Sequence, residues 1–371
     1  MRGVRFPLPA PFMTYIFFIQ GEGRGHLTQA LTLKEKLETR GHKVAAVVVS
    51  TKEGGQLPYF FQEQINAPLF SIISPSFAID RQGQGIDILA TISLTLKNLV
   101  QYRRSYQMIK KIINDYQPDA LVSFYEPLSG IYHRLTKDPR PLYCLGHQYF
   151  VDHPDFNFPD GHILSRLAFR MYNRLGTSPR GTRIALSFTA ANDQPDKKLL
   201  ICPPLIRQAI KDRRPTVNNF ILIYILNAGY SEKISAWSQK HPGVKIEAFW
   251  GQADKATINK DLCFNPLSGD RFIELLASCR AYASTGGFDS IAEAAYLQKP
   301  ILMNPTKNHF EQKCNAVDAI RAGLATVTEN FDLSALDNEQ TKTHSPEALH
   351  RFKEWVDNND DKLVELLTEK Y

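Results

Sequence analysis

The sequence predicts an α/β fold made of two Rossmann-like domains that face each other across a cleft. Two observations carry this prediction. Short apolar runs alternate with longer amphipathic segments along the chain, and in each half a glycine-containing turn follows an apolar run. The apolar runs are continuous, which is typical of parallel strands buried on both faces. The composition, with 43% hydrophobic and 22% charged residues, does not indicate disorder.

The first predicted domain starts with a βαβ unit. A strand is expected at residues 15–20 (YIFFIQ), a glycine loop at 21–25, a helix at 26–40 and a second strand at 43–50 (KVAAVVVS). Glycines at such a turn allow a ligand to approach the backbone closely. The domain is expected to continue with one long helix at 86–116 and with further strands at 69–73, 120–124 and 141–145.

A charged, proline-broken stretch separates the two halves. Residues 193–198 and the pair Pro203-Pro204 predict a linker. A second alternating series follows, with strands expected at 220–226, 245–250, 261–264, 280–284 and 301–304 and helices at 231–240 and 269–279. We therefore predict a first domain at residues 1–205, a second at 206–345, and a helical C-terminal segment at 346–371.

The densest pattern of polar residues lies at 285–316 (TGGFDSIAEAAYLQKPILMNPTKNHFEQKCNA). Gly286 and Gly287 predict a tight turn from a strand into a helix, which Asp289 or Ser290 would cap. In open parallel sheets, ligands bind beyond the carboxyl ends of the strands, where helix N-termini offer amide donors to anions. This turn is therefore a candidate anion site.

Acidic and amide side chains follow the same turn. Glu293 is expected in the helix after the turn, where its carboxylate suits the two hydroxyls of a ribose. The pair Glu311-Gln312 precedes a helix carrying Asn315 and suits the hydroxyls of a sugar. An ordinary β-α-β unit with a surface glutamate is the alternative interpretation of this segment.

The glycine loop at residues 21–26 (GEGRGH) does not match two common nucleotide motifs. Its spacing is G-x-G-x-G, whereas a dinucleotide fingerprint has G-x-G-x-x-G, and the next strand leads into Ser50-Thr51-Lys52 without an acid for a ribose. It also lacks the Gly-Lys-Ser/Thr of a Walker A loop. The loop alone therefore does not assign a function.

Cysteine content and charge narrow the class of protein. The five cysteines form no C-x-x-C pair, which suits reduced thiols in a cytoplasmic protein and does not favour a structural zinc site. Residues 1–205 carry 24 of the 44 Lys/Arg and 16 of the 38 Asp/Glu, so the first half is the basic one. Such a bias suits an anionic lipid surface or a phosphate-bearing substrate, or reflects solvated lysines.

The chain is not expected to cross a membrane. Residues 1–12 are basic and broken by prolines, lack the apolar core of a signal peptide, and leave Met13 as an alternative start. No run reaches the roughly 20 apolar residues of a membrane span. We expect a cytoplasmic protein, with peripheral contact at the inner membrane face as an option.

Both halves of the chain resemble GT-B glycosyltransferases, especially the group that contains the peptidoglycan N-acetylglucosaminyltransferase, with families 28 and 1. The similarity is strongest at residues 280–316 and 15–34. In that group a small-Gly turn is followed after six residues by a ribose-binding glutamate, as Gly287 is by Glu293, and a D/E/Q-Q pair precedes an Asn-Ala helix, as Glu311-Gln312 does here. The resemblance implies a GT-B fold whose last helix returns to the first domain.

The resemblance also implies a set of ligand-binding residues. Those on the donor side are Gly229, Gly251, Leu267, Gly286, Gly287, Glu293, Glu311 and Gln312. Those of the loop that faces the donor phosphates and the acceptor are Gly21, Gly23, Arg24, Gly25 and His147. His147 at the end of a predicted strand has an alternative role as a satisfied polar residue.

His26 is the candidate general base that the resemblance implies. Several GT-B enzymes use a histidine at this loop to take the proton of the acceptor hydroxyl, and an imidazole suits that role. By position, Glu126 after the strand at 120–124 is the candidate carboxylate that orients it, with Asp152 as a poorer choice. The alternative is that His26 only packs or binds phosphate.

The function implied is transfer of a sugar from a nucleotide diphosphate sugar, with UDP expected, to an unidentified hydroxyl acceptor, either lipid-linked or a glycan. No metal, cofactor or nucleic acid is expected, because helix N-termini can neutralise the leaving diphosphate and the sequence contains no D-x-D pair. Residues 163–175 (ILSRLAFRMYNRL) form a basic amphipathic pattern that suits a membrane surface or an ordinary core helix. A UDP-sugar 2-epimerase and a non-catalytic nucleotide-sugar-binding protein are the alternative functions.

Overall fold

The fold was analysed in a computed structural model, which describes residues 12–51, 56–76, 88–225, 228–251, 257–307, 309–328, 331–337 and 344–369. Within these residues the strands form two sheets, one in each half of the chain. The predicted α/β class with two Rossmann-like domains is confirmed.

The first sheet is parallel throughout and has its strands in the order β3-β2-β1-β4-β5-β6-β7. Its strands are β1 (Thr14–Gln20), β2 (Lys43–Thr51), β3 (Leu69–Ile73), β4 (Ala120–Phe124), β5 (Leu142–Leu145), β6 (Thr182–Leu186) and β7 (Leu199–Cys202). Residues 15 to 19 of β1 are fully buried because helices cover both faces of the sheet.

The second sheet has the order β10-β11-β9-β8-β12-β13-β14, and only the edge strand β10 runs antiparallel to its neighbour within the described residues. Its strands are β8 (Phe220–Ile225), β9 (Lys245–Trp250), β10 (Thr257–Asn259), β11 (Leu262–Asn265), β12 (Ala281–Ser284), β13 (Ile301–Met303) and β14 (Ala325–Val327). Residue 226, which was expected to end β8, lies outside the described residues.

Helices connect the strands and cover the sheets. Those that start before residue 208 are α1 (Gly25–Glu38), α2 (Tyr59–Ile65), α3 (Ile88–Lys97), α4 (Leu99–Tyr116), α5 (Pro127–Thr136) and α6 (Ile163–Leu175). The later ones are α7 (Gln208–Lys211), α8 (Ser231–Lys240), α9 (Gly269–Ser278), α10 (Phe288–Tyr296), α11 (Phe310–Arg321), α12 (Pro346–Asn358) and α13 (Lys362–Thr368). Among all the residues that the structure describes, no helix has the length and apolar character needed to span a bilayer.

Three local predictions need correction. The single helix expected at 86–116 is two helices, because Asn98 leaves the helical region (φ −97°, ψ 5°) between α3 and α4; residues 86–87 lie outside the described residues. Strands β6, β7, β10 and β14 were not predicted. The expected linker at 193–198 instead forms a 3-10 turn and an antiparallel bridge from Gln194 to Leu199 that leads into β7.

The C-terminal helices contact the first domain. Tyr15 Oη on β1 donates a hydrogen bond of 3.0 Å to the carbonyl oxygen of Leu367. Lys36 on α1 lies 2.6 Å from the carboxylate of Asp360, between α12 and α13. Helix α12 also packs on α10 of the second domain. The end of the chain therefore joins both domains.

Candidate active site

A cavity of about 720 Å³ lies between the carboxyl ends of the strands of the two sheets. Most of the ligand-binding residues expected from the sequence line it: Gly23, Arg24, Gly25, His26, His147, Leu267, Gly286, Gly287, Glu293, Glu311 and Gln312. The topology brings them together, because the strands of each sheet that lead to the cavity point the same way.

Helices α1 and α10 begin at this cavity without a side-chain cap. Helix α1 follows Arg24, whose guanidinium has only donors, and helix α10 follows Gly287, which has no side chain, so the first-turn amides receive no side-chain cap. The predicted capping by Asp289 or Ser290 is therefore wrong for α10. By contrast, α12 is capped by Ser345, which accepts from Ala348 N at 3.1 Å. Uncapped first-turn amides offer hydrogen bonds and positive potential to an anion.

Gly286 shapes the turn before α10. Its φ of +98° lies in the left-handed region that glycine adopts without steric cost. Its carbonyl oxygen accepts a 2.9 Å hydrogen bond from Asn315 Nδ2, so α11 fixes the turn from the side. The strand-turn-helix pattern predicted from the sequence is present.

Glu293 is buried, with 3% of its surface exposed, and is held by an arginine from the segment between the two sheets. Arg207 Nε donates to Oε1 at 2.5 Å and Arg207 Nη2 donates to Oε2 at 2.7 Å. This two-pronged geometry is the strongest form of an arginine–carboxylate pair. Both oxygens expected to bind a ribose therefore have a guanidinium partner.

Arg24 adds a second guanidinium group to the lining of the cavity. Arg24 forms no ion pair within the described residues and lies over the ring of Phe60, with its guanidinium carbon 4.1 Å from the ring centre. Burial lowers the pKa of Arg24, and the neighbouring charge of Arg207 lowers it further. Two guanidinium groups facing one cavity suit a ligand that carries phosphates.

Glu311 meets the first domain at the opposite side of the cavity. Its Oε1 accepts a hydrogen bond of 3.1 Å from Gln148 Nε2 and lies 3.4 Å from His147 Nε2. Burial alone would raise the pKa of Glu311, but the His147 imidazole lowers it to about 2. His147 also stacks on Phe288 of α10, with ring centres 4.4 Å apart. His147 therefore joins the domains and supports Glu311.

His26 lies on the first turn of α1, half-buried against the ring of Tyr125 at 5.7 Å. Its Nδ1 is 3.3 Å from Gln29 Oε1, and its Nε2 is 3.4 Å from Gln148 Nε2. Burial lowers the pKa of His26 to about 4, so the imidazole is neutral at neutral pH. A neutral imidazole at a cavity can accept a proton.

Glu126 does not orient His26. It is fully buried and caps α5, where Oε1 accepts from Leu128 N at 3.0 Å and Oε2 from Ser129 N at 2.8 Å. Ser74 Oγ also donates to Oε1. The prediction placed Glu126 correctly at the end of β4 but not its side chain, which turns back onto its own helix. Asp152, the second choice, is bonded to Arg183 at 2.6 Å.

Three predicted glycines do not line the cavity. Gly21 N donates to Ser50 O at 2.9 Å at the end of β1, Gly251 N donates to Ile225 O at 3.3 Å, and Gly229 lies in a 3-10 turn at Ala228–Tyr230. Their backbones belong to the sheet edges around the cavity. Phosphate or base contacts from these glycines stay predictions.

Sequence reasoning missed Arg207 and Gln29. Gln29 lies three residues after His26, a helical spacing that places both on one face and could have indicated the pair. Arg207 follows the proline pair of the linker, where no periodicity marks it. Gln29 could therefore be found from its spacing in the sequence, whereas Arg207 could be found only from the fold.

Comparison with known proteins gives one family and many related folds. The model of a family described as Glycosyl transferase family 1 matches residues 13–343. An uncharacterized glycosyltransferase of Methanosarcina acetivorans is 23% identical over 338 residues, covering 84% of this chain and 82% of the relative. One of Methanosarcina mazei is 25% identical over 328 residues, covering 82% of each.

Solved structures resemble the whole chain. The calicheamicin glycosyltransferase CalG4 has a TM-score of 0.60 at 16% identity, covering 95% of this chain and 97% of its own. Arabidopsis thaliana UGT89C1 complexed with UDP-L-rhamnose has a TM-score of 0.57 at 14% identity, covering 97% of this chain and all of its own. These similarities show the two-domain GT-B fold that the resemblance implied.

Proposed function

Because the chain belongs to glycosyl transferase family 1 and is a glycosyltransferase, we propose that it moves a sugar from a UDP-sugar to a hydroxyl acceptor. The observation that carries the proposal is the cavity between the two carboxyl edges, which combines uncapped helix N-termini, unpaired positive charge and buried carboxylates. UDP is the proposed nucleotide because a related fold is described in complex with UDP-L-rhamnose.

The donor diphosphate is proposed to lie at the turn before α10. Negative charge develops on the leaving phosphate as the anomeric bond breaks, and the first-turn amides of α10 with Arg24 would neutralise it. No metal is invoked in this step. Transfer that continues after chelation with EDTA and dialysis would support it, and loss restored by a divalent cation would contradict it.

The ribose is proposed to bind Glu293. Arg207 uses one lone pair of each carboxylate oxygen, so a ribose hydroxyl would either donate to a remaining lone pair or displace one of the two arginine hydrogen bonds. The released guanidinium would remain beside the diphosphate, where its charge is favourable. Glu311 and Gln312 are proposed to bind the sugar hydroxyls.

The acceptor hydroxyl is proposed to lose its proton to His26. The bond from the acceptor oxygen to the anomeric carbon forms as the bond to the diphosphate breaks, and the proton passes to His26 Nε2. Closure of the cavity excludes the water that would otherwise hydrolyse the sugar. Family membership favours transfer over the epimerase and the non-catalytic alternatives.

A lipid-linked acceptor is the finer part of this proposal, and one feature of α6 favours it. Four large apolar side chains of this helix are 57–80% exposed: Ile163, Leu164, Leu167 and Met171. Arg166, Arg170 and Arg174 lie on the same helix, which suits an anionic lipid surface. Helix α6 also contacts α11, which carries Glu311.

The lipid contact is tested by sedimentation with vesicles of phosphatidylglycerol and of phosphatidylcholine. Binding to the anionic vesicles alone, lost in the double variant Leu164→Ser/Leu167→Ser, is expected. A matched control is Val217→Ser, an exposed apolar residue away from α6. Equal sedimentation of the double variant and the control would contradict the contact.

The donor is tested by calorimetry with UDP, ADP and GDP, followed by measurement of UDP released from a panel of UDP-sugars. We expect UDP to bind most tightly and its release from one UDP-sugar to rise when an acceptor is added. Conversion of the UDP-sugar without an acceptor would indicate the epimerase. Binding without turnover in any mixture would indicate the non-catalytic alternative.

A further inference from the structure

The two ring nitrogens of His26 have different neighbours. On one side, Nδ1 faces the side-chain oxygen of Gln29 at 3.3 Å, and Gln29 itself is 1% exposed. An amide oxygen only accepts hydrogen bonds, so Nδ1 must carry the hydrogen for this contact to be favourable. The contact therefore favours the Nδ1–H tautomer.

The orientation of the Gln29 amide is fixed from the second domain. Gln29 Nε2 donates a 2.8 Å hydrogen bond to Asp289 Oδ1 on α10, 260 residues further along the chain. A carboxylate only accepts, so this bond holds the amide nitrogen toward Asp289 and the amide oxygen toward His26. Asp289, Gln29 and His26 therefore form a chain of hydrogen bonds that links the second domain to the imidazole.

The other ring nitrogen agrees with the same tautomer. Gln148 Nε2 lies 3.4 Å from His26 Nε2 and donates at 3.1 Å to Glu311 Oε1. The bond to a carboxylate identifies this Gln148 atom as the amide nitrogen, which is a donor. His26 Nε2 therefore carries a lone pair, which accepts from Gln148 in this structure and which the acceptor hydroxyl would have to take over for His26 to act as a general base.

A glycine of the first domain leaves room for the carboxylate of Asp289. A Cβ added to Gly25 would lie 2.4 Å from Asp289 Oδ2, closer than side chains tolerate. The absence of a side chain at Gly25 lets the carboxylate approach the start of α1. Helices α1 and α10 are in contact, so this approach belongs to the domain interface.

We infer that Gln29 and Asp289 are positioning residues that hold His26 in its base-competent tautomer, and that Asp289 does so from across the cleft. The inference rests on the proposed role of His26. When the imidazole takes a proton, its Nδ1–H bond to Gln29 strengthens, and the Asp289 carboxylate polarises the amide that accepts it. Orientation of the base then requires the second domain to be docked on the first.

The test is the tautomer of His26, measured from the ¹⁵N shifts of the imidazole in full-length protein labelled at histidine. A His26→Gln variant assigns the signal. Wild type is expected to show Nδ1–H. Gln29→Met, which removes the acceptor at similar size, is expected to move His26 toward Nε2–H and to lower kcat at least ~10-fold with the Kd for UDP unchanged.

Asp289→Leu gives a second, independent variant at a half-buried position. It is expected to shift the tautomer in the same direction, whereas Asp289→Asn keeps an accepting oxygen and should restore Nδ1–H. Gln62→Met, on an exposed face of α2, is the matched control and should change neither readout. A merely structural role would not move the tautomer while leaving UDP binding intact.

Two results overturn the inference: Nε2–H in the wild type, or the same tautomer and kcat in wild type, Gln29→Met and Asp289→Leu. Failure of the proposed base is a different result. If His26→Ala keeps its turnover, His26 is not the base, while the tautomer measurement still decides whether Gln29 and Asp289 set its protonation.

Discussion

The acids at the two edges of the cleft differ in the origin of their partners. At the first-domain edge, Glu126 is held by backbone amides and a serine of its own domain. At the second-domain edge, three acids are each bonded to a side chain from the first domain or from the segment between the two sheets: Asp289 to Gln29, Glu293 to Arg207, and Glu311 to Gln148.

This difference separates carboxylates that stabilise the fold from carboxylates whose side-chain partner a ligand can replace. Glu126 is fully buried and Glu293 is 3% exposed, so burial alone does not distinguish them. A backbone amide cannot leave without unwinding its helix, whereas a guanidinium or a side-chain amide can rotate away and be replaced by a ligand hydroxyl. The second-domain acids are therefore the ones suited to binding a sugar nucleotide.

The largest effect should come from the imidazole on the first-domain edge. We expect His26→Ala to lower turnover at least ~100-fold, because the Nε2 lone pair of the proposed base is lost, while the Kd for UDP stays nearly unchanged. Steady-state kinetics and calorimetry measure the two quantities. The control is His350→Ala on the exposed face of α12. Surviving turnover would place the base elsewhere.

The next effect tests the second-domain edge. Glu293→Ala should weaken UDP binding by about 1–3 kcal/mol, because charged hydrogen bonds to the ribose are lost. Calorimetry measures the Kd, and Glu274→Ala on the exposed part of α9 is the control. An unchanged affinity would remove Glu293 from the site.

A smaller effect is expected at Glu126, where the substitution should change the stability of the protein and not its affinity for UDP. Glu126→Gln keeps the shape but leaves one of the two capping amides of α5 without an acceptor, which should lower the free energy of unfolding by about 1–2 kcal/mol. Denaturant unfolding measures this change. The Kd for UDP should stay within about twofold, and a larger loss of affinity would contradict the contrast with Glu293.

The smallest effect is a pH dependence of the free energy of unfolding, to which His26 at the first-domain edge and Asp289 at the second-domain edge contribute with opposite signs. Burial lowers the pKa of His26 to about 4 from 6.5, so its unfolded form binds more protons and stability falls as the pH drops below 6.5. Burial raises the pKa of Asp289 to about 6 from 3.8, so its folded form binds more protons and stability rises as the pH drops through 6.

Because the signs are opposite, the combined contribution of His26 and Asp289 to the free energy of unfolding of the wild type should change little between pH 5 and 6.5. His26→Gln should become relatively more stable as the pH falls, and Asp289→Asn relatively less, each on the order of 1 kcal/mol. Denaturant unfolding at pH 5.0, 5.75 and 6.5 measures the trend. Parallel trends in the two variants would contradict these shifts.

The sequence was sufficient where a pattern is local. Continuous apolar runs located β1, β2 and β4, and the glycine turn located the start of α10, because backbone conformation and burial are written into neighbouring residues. Strands β6 and β7 escaped prediction because they are four or five residues long and are bordered by charged residues that mask their apolar character.

Side-chain partners were not predictable in the same way. Pro127 directly after Glu126 is typical of a helix start and could have indicated that Glu126 caps its own helix. No sequence pattern indicates that Glu293 accepts from Arg207, 86 residues earlier. Such choices depend on how the two domains are docked. The sequence therefore predicted which side chains gather at this sheet edge but not the pairs that they form with one another.

The hydrogen bond from Tyr15 to Leu367 ties the first strand to the last helix, 352 residues apart. A ribosome adds roughly 5–20 residues per second, so β1 waits on the order of half a minute for this partner. During synthesis the first domain folds without α13, and the phenol of Tyr15 stays unbonded to it until Leu367 has left the exit tunnel. This contact of β1 thus forms long after the other strands of its sheet have been synthesised, and nascent chains stalled before residue 362 should be more sensitive to protease at β1 than chains that include α13.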